Sequence, residues 1–169
     1  MGAWCTFKIE RTSYTDGRVI AEADVPKELL RLQEVGAWDG LHVFPDAEPA
    51  RDGHWQFPRI SADWVADGLG YVVQCFETAD SKSFFLSTSA SLSESEVYIE
   101  LGGLAEELWP KQLFVPYDLA AKAMQHFLGT GLQDPELAWV GLSSFPRKTR
   151  SASTAASLQQ GLMQHGQDT

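Results

Sequence analysis

The sequence predicts an α+β domain: a mostly antiparallel sheet with two main helices packed on one face. Three β-rich runs carry the sheet, namely 69–76 (LGYVVQCF), 83–88 (SFFLST) and 97–101 (VYIEL). Turn-forming segments separate them, Asp80-Ser81 and the serine-rich 87–95, so they read as an antiparallel meander. Two stretches with helical spacing of apolar residues, at about 25–35 and 117–128, supply the α layer.

The remaining elements follow in chain order. Residues 3–10 (AWCTFKIE) alternate apolar and polar, as a half-buried strand does. Asp16-Gly17 is a two-residue hairpin signal, so a first hairpin is expected, roughly 4–11 with 18–23. Asp24 precedes Val25-Pro26, a cap followed by an early proline. Leu29, Leu30, Leu32 and Val35 then form one apolar face, and Gly36 ends the helix. Residues 41–44 (LHVF) are a short apolar run, and 45–53 a polar loop. His54 to Ile60 alternates, but Pro58 demotes it to an edge strand. Ser61-Ala62-Asp63 reads as the cap of one helical turn, or the chain turns at Asp67-Gly68. Gly102-Gly103 breaks the meander, and 111–115 (KQLFV) adds a short run. Pro116 opens the second helix, with Ala120, Met124, Phe127 and Leu128 in one stripe and Gly129 and Gly131 as stops. Asp134-Pro135 turns the chain into a last strand at 137–142. One domain over 1–142 is expected. From Ser143 to Thr169 the chain is polar and rich in Ser, Thr and Gln, which reads as a flexible tail or a weak terminal helix.

Charge narrows the function classes. The chain has 169 residues, with 23 acids against 13 bases and a net charge of -10. Binding to a nucleic-acid backbone or an anionic membrane calls for clustered Lys and Arg, so neither is expected as a partner. No apolar run reaches the roughly 18 residues needed to cross a bilayer. Cys5 and Cys75 stand far apart and read as buried thiols in a reducing compartment, which points to the cytoplasm.

Catalytic patterns are missing from the sequence. None of His42, His54, His126 and His165 has metal-ligand spacing, and no nucleophile elbow or phosphate loop occurs. Neither a metal nor a cofactor is expected, and the chain is read as a binding protein and not an enzyme. Asp63 and Asp67, four apart, are the one carboxylate pair that suits acid–base work.

Acid accumulates instead in one region. Glu94, Glu96, Glu100, Glu106 and Glu107 fall between Ser83 and Pro110, where no base occurs, and Trp109 stands two residues after Glu107. The loop at 46–52 adds Asp46, Glu48 and Asp52 against Arg51. Acids beside an exposed aromatic form an interface for a basic protein: charge speeds encounter and the ring supplies an anchor.

Residues 69–142 resemble a known family. A strand meander leads through an acidic, glycine-containing loop into KQLFVPYDLAAKAMQHFLGTGLQDPELAWVGL. The order of Val115, Pro116, Ala120, Ala123, Phe127, Leu128, Thr130, Gly131, Pro135 and Trp139 is similar to that of the first-numbered family of bacterial polymorphic-toxin immunity proteins. The resemblance implies a small cytoplasmic inhibitor that occludes the active site of a cognate toxin. A nucleic-acid deaminase is the favoured partner and a nuclease the other. Such a toxin offers a basic groove that an acidic face can enter. An acidic secretion chaperone for an effector is the other binding role that suits this composition.

Overall fold

The computed structural model describes residues 3–9, 13–14, 18–35, 40–44, 57–66, 68–78, 83–92, 96–101, 105–141 and 148–150. Its strands are β1 (Ala3–Ile9), β2 (Ser13–Tyr14), β3 (Arg18–Ile20), β4 (Gly40–Phe44), β5 (Arg59–Ala66), β6 (Gly70–Phe76), β7 (Ser83–Ser87), β8 (Glu96–Leu101), β9 (Ala105–Pro110), β10 (Ala138–Gly141) and β11 (Lys148–Arg150). Its helices are α1 (Val25–Val35) and α2 (Tyr117–Thr130). Eight strands form one antiparallel sheet in the order β10-β7-β6-β5-β4-β1-β2, with β3 also paired to β1. The other three form a small antiparallel sheet, β11-β9-β8. The α+β class is therefore present, but the three runs read as one meander are divided: 69–76 and 83–88 pair as β6 and β7, whereas 97–101 lies in β8 and pairs with β9 in the small sheet.

Alternation along the central strands creates two cores. On one face, Leu41 and Val43 of β4, Ile60 and Ala62 of β5, and Tyr71, Val73 and Cys75 of β6 pack against Val25, Leu29 and Leu32 of α1 and Ala120, Met124 and Phe127 of α2. Both helices thus lie on the same face, as expected, although Leu30, read as part of the α1 stripe, is exposed. On the other face, Val72 and Phe85 meet Trp109, Leu113, Phe114 and Val140. The central strands β6 and β7 are covered on both sides, which is why they read as nearly continuous apolar runs.

Tyr71 ties α1 to the sheet. Its ring is fully buried, its hydroxyl donates to the Leu29 carbonyl at 2.9 Å, and Gln33 Nε2 donates to the same hydroxyl at 2.7 Å. Burial, the largest influence, pushes this phenol above its ordinary pKa. Its backbone forms a two-way bridge with Val115: Tyr71 N–H donates to the Val115 carbonyl at 2.9 Å and Val115 N–H returns the bond at 2.8 Å. That approach explains Gly70. Its φ is +99°, and a Cβ there would run into the Val115 carbonyl oxygen.

The motif after α2 is structural throughout. Gly131 caps the helix at φ 72°, in the left-handed region, and its N–H donates to the Phe127 carbonyl at 2.7 Å. Thr130 Oγ1 donates to the His126 carbonyl at 2.8 Å, so α2 runs two residues past the predicted end. The buried Asp134 accepts from Glu136 N–H at 2.9 Å through Oδ1, while its carbonyl receives the Trp139 indole N–H at 3.0 Å. Lys122 Nζ stands 2.9 Å from Glu136 and 3.6 Å from Asp134.

Several expectations need correcting. Ser61-Ala62-Asp63 is not a helical turn but the middle of β5, which continues to Ala66. Pro58 lies just before that strand and not within it. Residues 111–115 form a 3-10 turn at Lys111–Leu113 followed by the Val115 bridge, not a strand. The expected pairing of the first strand with the segment from residue 18 is present, as β1 with β3 through Ala3↔Ile20 to Cys5↔Arg18, but this register is too widely spaced for a two-residue connection, β1 turns first into β2, and Asp16-Gly17 lies outside the described residues. Asp24 ends a 3-10 turn, and its carboxylate accepts from Ala21 N–H at 2.9 Å. Strands β9 in the acidic stretch and β11 in the tail were also not foreseen. Residues 151–169, where a terminal helix was the other reading, also lie outside the described residues.

Candidate functional site

The predicted acidic site falls mainly on the small sheet. Glu96 opens β8, Glu100 lies near its end, and Glu106 and Glu107 lie on β9. Their register divides them. Glu96 stands opposite Pro110 and Glu100 opposite Glu106, in the set of positions that alternates with Val97↔Trp109. Glu107 stands opposite Ile99, in the same alternating set as Trp109. The four described acids therefore divide three to one between the two sets. Glu94, Asp46, Glu48 and Asp52 lie outside the described residues.

Trp109 is a correction. It was expected as an exposed anchor, but the residue is 4% exposed. Its ring meets Phe85 edge-on, with centroids 5.2 Å apart and planes at 89°. The physical reason is tertiary: the β8–β9 hairpin lies over the second face of the large sheet, and Trp109 and the half-buried Val97 fill the space between them. The chain then passes directly into the 3-10 turn, where Thr88 N–H donates to the Gln112 carbonyl at 2.9 Å. The acids of β8 and β9 are thus carried on a hairpin that is fixed to the core at one end.

β11 completes this sheet. Lys148, Thr149 and Arg150 stand opposite Leu108, Glu107 and Glu106. One row across the three strands accordingly reads Glu100, Glu106, Arg150.

A second polar group escaped the sequence reading. Along β5 the residues Arg59, Ser61 and Asp63 alternate with the core residues Ile60 and Ala62. Ser61 stands between His42 of β4 and Gln74 of β6, and Asp63 opposite Gly40. The Asp63 carboxylate and the His42 imidazole converge above Gly40. A Cβ on that glycine would lie 2.6 Å from Asp63 Oδ1 and 3.0 Å from His42 Nε2. Arg59 is buried, with its guanidinium 4.0 Å from the centre of the Phe76 ring and 5.5 Å from that of Phe57. Period-two alternation in RISAD was the available signal, but the Ser-Ala-Asp cap pattern masked it. Asp67, the other half of the expected carboxylate pair, lies outside the described residues; Asp63 is placed with His42.

His126 sits half-buried on α2. Cys75 is buried in the helix-side core, and burial, only partly opposed by a hydrogen bond with Gln133, pushes its thiol up to about 11. Among the described residues no group of three or more His, Cys, Asp or Glu is placed to hold a metal ion, and no helix is long and apolar enough to cross a membrane. Compared with family models and with curated proteins, the chain matches none.

Proposed function

We propose that this chain is an immunity protein of the bacterial cytoplasm that binds a basic protein toxin, a nucleic-acid deaminase in the first instance, and neutralises it by covering its active-site groove. The observation that carries this reading is the placement of Glu96, Glu100 and Glu106 in one alternating set on a hairpin fixed to the core through Trp109. Acids placed together on a hairpin that is anchored through Trp109 steer a basic partner toward it. The residues that carry the family resemblance support the same division of labour. Ala120, Ala123 and Phe127 are buried, while Thr130, Gly131 and Trp139 serve the helix cap and the turn after it. Such residues maintain a scaffold and leave recognition to other positions.

The test is inhibition of the toxin encoded beside this chain, at equimolar and excess protein. Replacing Glu96, Glu100 and Glu106 together by Lys should slow association roughly tenfold or more at low salt and reverse its salt dependence. Full toxin activity in the presence of excess parent protein would reject the proposal, and an unchanged on-rate in the variant would remove the acidic hairpin from it.

One observation favours a second reading. A carboxylate beside an imidazole is the arrangement of a general base and its orienting group, so His42 and Asp63 support acid–base chemistry on the second sheet face. Turnover of any substrate that survives His42→Ala would dismiss it.

A further inference from the structure

Strand β9 has unequal neighbours. β8 pairs with it along its full length, from Glu96↔Pro110 to Leu101↔Ala105. On the opposite edge the described pairing covers only Glu106, Glu107 and Leu108. The segment that occupies this edge is the chain's own basic stretch, and its register brings Arg150 into the row that already holds Glu100 and Glu106. Two acids directly opposite each other on neighbouring strands are unfavourable, and a base in the next position of the row offsets them. The acidic sheet therefore accepts a basic extended strand, added antiparallel.

We propose that this edge of β9 is a docking site for an extended basic segment of the protein partner, and that Lys148–Arg150 hold the place in the free chain and are exchanged for it on binding. The inference rests on the reading of the chain as an acidic inhibitor of a basic protein. The described pairing of β11 covers three of the six residues of β9, so a segment matched to the whole strand makes more ladder bonds than that pairing. Charge selects the occupant. A second copy docking through its own β9 edge would bring acid to acid, whereas Lys and Arg at alternate positions reproduce what β11 supplies. The tether makes β11 a competitor at high effective concentration, so releasing it should raise apparent affinity for any incoming basic strand.

The probe is a labelled synthetic peptide with the sequence of residues 145–152, FPRKTRSA. It is titrated against the full chain and against two full-length variants, Arg150→Glu and the double variant Thr149→Pro with Arg150→Glu. Proline removes a ladder donor, and the milder single variant guards against misfolding. Fluorescence anisotropy should show the peptide binding the released chains at least about tenfold more tightly than the parent, with affinity falling as salt rises. A peptide with Glu in place of its Arg and Lys residues should not bind. Equal binding to all chains, or binding to none, overturns the exchange. Toxin neutralisation by the single variant separates this failure from that of the function. Neutralisation without peptide binding rejects the docking edge alone. Peptide binding without neutralisation, in variant and parent alike, rejects the inhibitor.

Discussion

Replacing Trp109 by Ala tests whether this ring belongs to the core or to an interface. The ring is buried against Phe85, Val72, Leu113 and Val140. A tryptophan side chain buries roughly 200 Å². At about 25 cal/mol per Å² that gives an upper limit of about 5 kcal/mol. The edge-to-face contact with Phe85 contributes about 1 kcal/mol. Partial collapse of the vacated space returns some of this, and buried Trp→Ala changes cost about 3–5 kcal/mol. We therefore expect a loss of about 4 kcal/mol, or about 8–16 °C in Tm for a chain of this size. Thermal and urea unfolding followed by circular dichroism measure it. Trp109→Phe should recover most of the loss, and a double-mutant cycle with Phe85→Ala should give a coupling of about 1 kcal/mol. If Trp109→Ala unfolds within about 1 kcal/mol of the parent yet loses its protein partner, the ring is a surface anchor and the packing argument is wrong.

Three further perturbations probe other parts of the fold. Gly70→Ala should cost about 2–4 kcal/mol in urea unfolding, since the new Cβ meets the Val115 carbonyl at a φ that side chains rarely adopt; a neutral result would dissolve the β6–Val115 bridge argument. The Asp134 carboxyl is held below its ordinary 3.8, first by the Glu136 N–H and then by the nearby Lys122 and His126 charges. Its contribution to stability is present above that value and lost as pH falls through the folded pKa, so Asp134→Asn should be less stable than the parent at pH 7 and converge with it in acid. Parallel stability–pH curves would contradict that assignment. Cys75, with its thiol raised to about 11, should resist alkylation at pH 8 in the folded chain and react on unfolding, as mass spectrometry of the modified peptide reports.

What the sequence disclosed depended on how many faces of an element are buried. The stripes of α1 and α2 and the apolar runs of β6 and β7 were legible because packing on the helix layer, and for the two strands on both sides, leaves an uninterrupted signal. β5 was missed because its second face carries Arg59, Ser61 and Asp63, and that polar alternation resembled a helix cap. β9 was missed because Glu106 and Glu107 are poor strand formers in isolation; pairing with β8 and burial of Trp109 override their propensity. The acidic region was visible as composition, but its division by strand register was not, because register depends on the partner strand. The meeting of His42 with Asp63 joins residues 21 positions apart, and no local pattern reports it.

The interleaving of two cores on β6 has a consequence for how this protein can diverge. Tyr71, Val72 and Val73 are consecutive and buried, the first and third against the helices and the second against the hairpin layer. This strand has no run of neutral sites through which sequence can drift. A deep mutational scan should show β6 as a continuous intolerant block, while α1 shows an intolerant stripe broken by the exposed Leu30, Arg31 and Glu34. Lineages of this fold should therefore differ least along one strand at the centre of the sheet, and that strand would locate the fold in relatives whose surfaces have changed beyond recognition.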